Sequence, residues 1–310
     1  MITIKAIQQI NYNGIDALEI VDKIIPTMLP QSVKVQTHYV PVLPYDILTE
    51  EGKLKRLRPV KLPMTIGYAF AGKVIEAGYL RKKSLIGQSV IGVTPTGTAQ
   101  EINISNIPPA LIKVPEGLSL QEAATVIGGA DAAWMAIKKL KIAQGDRVLV
   151  TGATGGVGTY LVQMLQLLGV DIIALASSTN IEFVRSLGAD EVIDYNSSQL
   201  TSDLRNARHP SKIIDTVGSS KLIESFAAVY ENFELLSLSI SNFPLEKKGQ
   251  HFSFINGPIM PNEYKEILAL LKSGKLKAHI QSIHHYSEVY KAQHESVKAS
   301  SHGRILLEFI

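Results

Sequence analysis

The sequence predicts an α/β protein: a β-rich domain over residues 1–122, a doubly wound parallel sheet over 123–256, and a C-terminal segment, 257–310, returning to the first domain. Three observations predict this. Up to about Glu122 the chain shows short β-branched runs broken by Pro and Gly, such as Ser32–Tyr39, Gly72–Glu76 and Ser89–Val93, with no long helical period. From about Ala123 apolar strands alternate with amphipathic helices, the pattern of a parallel sheet wrapped by helices. At 310 residues the chain is also longer than one core commonly serves.

The elements follow in order. Met1 to Ile10 alternates apolar and polar residues like a strand and lacks the charged start and apolar run of a signal peptide. A strand over Arg147–Thr151 leads to a helix from Gly156 to Leu168 closed by Gly169, then a strand over Asp171–Ala176. A helix over Ile181–Leu187 is closed by Gly188, and strands follow at Val192–Ile193, Ile213–Asp215 and Glu234–Leu238. Pro261 and Asn262 open a helix through Leu271 with Gly274 as its stop, and Arg304–Phe309 reads as a last strand.

Composition narrows the function. Hydrophobic residues are 45% and charged residues 19%, the balance of an ordinary globule. With a net charge of +3 and basic residues gathered only at Lys53, Lys55, Arg56, Arg58 and Lys61, a nucleic-acid footprint is not expected, and a solvated loop accounts for the patch. There are no cysteines, which excludes disulfides and thiolate metal sites. No apolar run approaches the roughly 20 residues of a membrane span, so a cytoplasmic protein acting on a small molecule is expected. Among His251, His279, His284, His285 and His294 no spacing supplies a metal site with an acidic partner, and solvated histidines are expected.

The chemistry-bearing feature is the turn Gly152-Ala153-Thr154-Gly155-Gly156-Val157-Gly158, between the strand ending at Thr151 and the helical period Leu161, Leu165, Leu168. A dinucleotide site needs a sharp strand-to-helix turn, close approach of the pyrophosphate and unpaired helix N–H groups aimed at it. Here the fingerprint reads Ala153-x-Gly155-x-x-Gly158, with alanine in place of its first glycine. The next strand runs into Ser177, Ser178, Thr179 and Asn180 with no acid to hold a ribose diol, so NADP(H) is expected over NAD. Those hydroxyls either donate to a 2′-phosphate or cap the following helix, and Tyr195 either adds a donor or covers the adenosine.

With Gln144–Val150 before the turn and Ser186–Tyr195, Ile112–Ser119 and Asp215-Thr216-Val217-Gly218 around it, the sequence resembles the zinc-independent quinone oxidoreductase branch of the medium-chain dehydrogenase/reductases. The resemblance implies a GroES-like catalytic domain, a Rossmann domain, NADPH in the cleft between them, and a homodimer formed by extending the Rossmann sheet, for which Glu234–Leu238 and its neighbours are compatible. It implies cofactor contacts from Ala153, Gly155, Gly156, Val157, Val217 and Phe254, besides Ser177, Ser178, Thr179 and Tyr195. Phe252 and Phe254 either lie along the nicotinamide or form strand core.

The zinc-binding positions of the relatives are Leu43 and Tyr68-Ala69 here, which cannot hold the metal. An asparagine, an aromatic and a lysine usual in the family are Leu43, Leu54 and Ile181, and Arg185 is either a substitute for the lysine or a solvated charge. A threonine usual near the nicotinamide aligns with Asp131, which would orient the carboxamide, stabilise the oxidised ring or cap a helix through Trp134. Tyr45 would polarise a substrate carbonyl or deliver a proton, or else pack beside Pro41 and Pro44. Asp46 would brace its loop. The expected function is metal-free hydride transfer from NADPH to a quinone or α,β-unsaturated carbonyl, with a non-catalytic NADPH-binding sensor as the alternative.

Overall fold

A computed structural model describes residues 2–56, 58–94, 96–106, 110–298 and 301–310; Met1, which opens the first predicted strand, lies outside them. The chain forms two compact units. One comprises Met1–Gly128, Met260–Ala299 and Arg304–Ile310, the other Gly129–Ile259 and Ser300–Gly303.

In the first unit, β1 (Thr3–Gln9), β2 (Leu18–Ile24) and β4 (Met64–Thr65) form an antiparallel sheet in the order β2-β1-β4. A larger sheet uses β3 (Val33–Pro41), β5 (Ala69–Ala77), β6 (Ser89–Val93), β7 (Ile102–Ser105), β8 (Leu111–Lys113), β15 (Ile280–His285) and β16 (Arg304–Glu308). Its order is β15-β16-β3-β5-β6-β8, with β7 also on β3. Val33 and Val35 alternate into one core with Ile7, Phe70, Val90 and Leu307, and Val40 joins them past the register shift between Thr37 and Tyr39. Short helices α1 (Pro44–Glu50) and α2 (Leu120–Ala124) interrupt the strands. Both are shorter than the two turns a helical period needs to show, so the sequence reads as strand and loop there. Pro44 opens α1, and Ser119 with Glu122 makes a capping box on α2.

The second unit is a parallel sheet of β9 (Arg147–Val150), β10 (Asp171–Ala176), β11 (Glu191–Asp194), β12 (Lys212–Asp215), β13 (Phe233–Ser237) and β14 (Gln250–Phe254). The described strands run β11-β10-β9-β12-β13-β14 with every pair parallel, so the chain reverses its winding between β9 and β12. In open parallel sheets that reversal point is where ligands bind. Around the sheet lie α3 (Asp131–Lys139), α4 (Gly158–Leu167), α5 (Ile181–Ser186), α6 (Leu200–Asn206) and α7 (Ser220–Val229). The helices α8 (Pro261–Lys272) and α9 (Val289–Ser296) belong to the first unit.

One expectation is corrected. The helix after the turn starts at Gly158, because Gly152–Val157 are consumed by the turn. Of Glu234–Leu238 and its neighbours, it is the neighbour β14 that stands at the edge of the described sheet, since β14 pairs along β13 from Phe233 to Ser237. Among the described residues no helix is long and apolar enough to cross a membrane.

Candidate functional site

The turn between β9 and α4 is dictated by backbone sterics. Gly152 sits at φ +62°, and a Cβ there would run into the Thr216 hydroxyl; one on Gly158 would run into the Gly152 carbonyl. Gly155 has room, its nearest neighbours being the Gly152 carbonyl at 3.4 Å and Ser301 Oγ at 3.6 Å from a built Cβ. Ala153 is fully buried and has no positive φ, so the alanine in the fingerprint costs the turn nothing: the conformational demand falls on Gly152. Gly155, Gly156 and Val157 are half-exposed just before α4; the Gly155 N–H closes the turn on the Gly152 carbonyl at 3.0 Å, and the Thr159 and Tyr160 N–H groups donate to the Gly155 and Val157 carbonyls at 3.0 and 3.1 Å.

The end of β10 brings the predicted hydroxyls together. Ser177 is half-exposed, Ser178 and Thr179 are exposed, and Ser177 Oγ lies 3.1 Å from Thr179 Oγ1. Tyr195 joins them through its N–H on the Ala176 carbonyl at 3.1 Å. Two carboxylates stand nearby and are engaged: Asp194 accepts from the Asn196 N–H at 2.9 Å, and Glu182 pairs with Arg185 at 2.8 Å. Arg185 is therefore in an exposed ion pair on α5.

Val217 is half exposed just past β12 and Phe254 is half-buried at the end of β14, while Phe252 packs onto the sheet core. Beneath Val217 lies Asp215, which the sequence offers only as the first residue of the Asp215–Gly218 motif. The buried Asp215 carboxylate accepts from the Thr151 hydroxyl at 2.8 Å, the Ser237 hydroxyl at 2.7 Å and the N–H groups of Val217 and Gly218 at 3.1 and 3.0 Å. It ties the ends of three neighbouring strands at the winding reversal. Spacing alone hides it, because its partners lie 64 and 22 residues away. Asp131 is buried at the first position of α3 and accepts from the Ala132 N–H at 2.7 Å.

In the first unit, α1 holds the other flagged residues. The Tyr45 ring meets Tyr68 edge-on at 5.6 Å, and the Arg58 guanidinium carbon lies 5.1 Å from the Tyr45 ring and 6.0 Å from that of Tyr68. Arg58 is thus no solvated loop charge: its side chain is 12% exposed, and Nη1 reaches Asp46 at 3.3 Å. Asp46 does brace its loop. Burial pushes its carboxyl up to about 6, against the opposing pull of Arg58 and of the Tyr68 backbone N–H. One turn later, Glu50 is pushed up to about 8 by burial and by the charge of Asp46, and accepts from Gln293 Nε2 at 3.0 Å. Leu43 is buried against Gly128, and the positions of Leu43, Tyr68 and Ala69 carry an aliphatic and aromatic lining.

The histidine expectation needs one correction: His284 is buried, not solvated, with Nε2 2.8 Å from Glu295. No metal-holding cluster of three or more His, Cys, Asp or Glu residues occurs among the described residues.

Comparison with known proteins agrees with this geometry. Residues 29–138 match the alcohol dehydrogenase GroES-like domain and residues 156–272 the zinc-binding dehydrogenase domain. The quinone-oxidoreductase homolog of Spinacia oleracea chloroplasts is 27% identical over 98% of this chain and 98% of that protein. The mitochondrial NAD(P)H oxidoreductase RTN4IP1 of Homo sapiens is 32% identical over 62% of this chain and 53% of its own length. The solved quinone oxidoreductase from Coxiella burnetii superposes with a TM-score of 0.86 at 25% identity, covering 99% of both chains. The chain belongs to the medium-chain dehydrogenase/reductase superfamily, on its quinone oxidoreductase-like branch.

Proposed function

We propose that the protein is an oxidoreductase that transfers hydride, without a metal, from NADPH to a quinone or an α,β-unsaturated carbonyl. One observation carries the reading: a glycine turn at the winding reversal of a parallel sheet, followed by a strand end of hydroxyls whose neighbouring carboxylates are engaged. The family supports an NAD(P)H oxidoreductase, and the name of the spinach relative supports a quinone. Metal independence is supported by side-chain chemistry, since Leu43 and Ala69 offer zinc no donor and the chain has no thiolate.

When bound, the nicotinamide supplies the hydride. The protein's own residues do the rest. Gly155 leaves room for the pyrophosphate to approach, and Gly156 and Val157 present N–H groups to it at the start of α4. Ser177, Ser178 and Thr179 donate to the 2′-phosphate, Tyr195 covers the adenosine, and Val217 and Phe254 flank the nicotinamide end. Asp131 accepts from the carboxamide. The Tyr45 hydroxyl donates to the substrate oxygen as negative charge gathers there, its ring steadied by Tyr68 and Arg58.

The test is NADPH oxidation by the purified protein against a panel of quinones and enones, before and after exhaustive chelation. Turnover above background that survives chelation is expected. Silence across the whole panel, or activity lost on chelation and restored by zinc, overturns the proposal.

A further inference from the structure

Residues 301–303 lie with the parallel-sheet unit although β16, which follows them, belongs to the other. Gly303 donates its N–H to the Thr154 carbonyl at 2.8 Å and bridges to Gly155 in parallel register. Its φ of +109° is one that side chains rarely adopt, so the approach of this strap to the glycine turn is written into the backbone. Ser301 is carried to Gly155 by the same anchor.

From there His302 reaches the end of β10. Its Nε2 lies 2.5 Å from Asn180 Oδ1, and its ring stands edge-on to Phe183 with centroids 4.9 Å apart. Asn180 is buried and directly follows the exposed hydroxyls of Ser178 and Thr179, whereas His302 itself is exposed. Hydroxyls alone can donate to a 2′-phosphate but bring no countercharge to a group that carries close to two negative charges. Arg185, on the neighbouring helix, is engaged with Glu182. An imidazole can both donate and carry charge.

We infer that His302, delivered to the end of β10 by the 301–303 strap, binds the 2′-phosphate of NADPH and sets the preference for NADPH over NADH. The inference rests on the NADPH reading proposed above and names a residue that the sequence reading left aside.

The test is calorimetric titration of the full-length protein with NADPH and with NADH, using wild type, H302Q, H302E and H302K. Glutamine keeps a donor for Asn180 without charge, glutamate places a negative charge there, and lysine a positive one. The expected result is that H302E weakens NADPH binding by about tenfold or more while NADH changes by less than about twofold, that H302Q falls between, and that H302K keeps the wild-type ratio. The inference is overturned if the ratio of the two affinities is the same in all four proteins, or if both affinities fall together and glutamine restores them, which is what bracing of Asn180 alone would give. Wild type that prefers NADH overturns it while leaving the oxidoreductase reading intact. Wild type that binds neither dinucleotide removes that reading as well.

Discussion

The turn after β9 and the polar cluster on α1 both place residues where an apolar core would not, and they are held by opposite means. In the turn the constraint is short-range: Gly152 and Gly158 are needed because a Cβ on either would meet atoms of the turn itself or of the adjoining strand end. On α1 the constraint is long-range: Glu50 is held by Gln293, 243 residues away, and Asp46 by Arg58 across a loop. A turn of the first kind tolerates no substitution at the glycines that carry it. A buried carboxylate of the second kind tolerates loss of charge, because much of what surrounds it is a desolvation cost.

The largest effect is expected at Gly158. Substitution by alanine forces a methyl against the Gly152 carbonyl and the Ala153 backbone, neither of which is a flexible side-chain end. A loss of about 3 kcal/mol is expected, together with loss of measurable dinucleotide binding, read by thermal melting and by cofactor titration. Unchanged melting and binding would show that the turn is softer than its contacts imply.

A smaller effect with a definite sign is expected at Glu50. Its carboxyl is raised to about 8 in the fold, so the folded protein keeps a proton the unfolded chain has already released. Stability is therefore full below the ordinary carboxylate range, falls as pH rises toward about 8, and levels off above it. Glu50→Gln removes this dependence. The variant should match wild type near about pH 4 and be clearly the more stable of the two near about pH 9. Denaturant melts across that range decide the matter, and a constant gap at every pH would mean that Glu50 does not hold its proton.

The smallest effect is expected at Ala153, where restoring the customary glycine should cost about 1 kcal/mol through unfolded-chain entropy and a lost buried methyl, with dinucleotide affinity unchanged. Tighter binding by Ala153→Gly would show that the alanine holds the pyrophosphate off. That result would break the contrast between Ala153 and its neighbour Gly152.

Much of the parallel-sheet unit was legible from the chain. Strand β10 lies at Asp171–Ala176 as read, and β9, β12 and β13 lie within one residue of their predicted bounds. Apolar runs, glycine stops and a strand-to-helix turn are short-range signals, and short-range signals survive in a one-dimensional string. The first unit was harder. Its helices α1 and α2 are too short for a period to emerge, and Arg58 reads as one more basic residue in a loop until the fold lays it over two tyrosine rings. His284 reads as solvated until Glu295 is packed against it.

The same division holds within the candidate site. The glycine turn, the hydroxyl-ended strand and the aliphatic residues at the zinc positions follow from residue identity and order, because steric room, hydrogen-bonding capacity and metal affinity are properties of the side chains themselves. Asp215 bracketing three strand ends, Arg58 on Tyr45 and Tyr68, and His302 on Asn180 follow from folding alone. Each joins residues between 10 and 122 positions apart. Burial and approach at that separation depend on how the whole chain packs, and no local pattern encodes them.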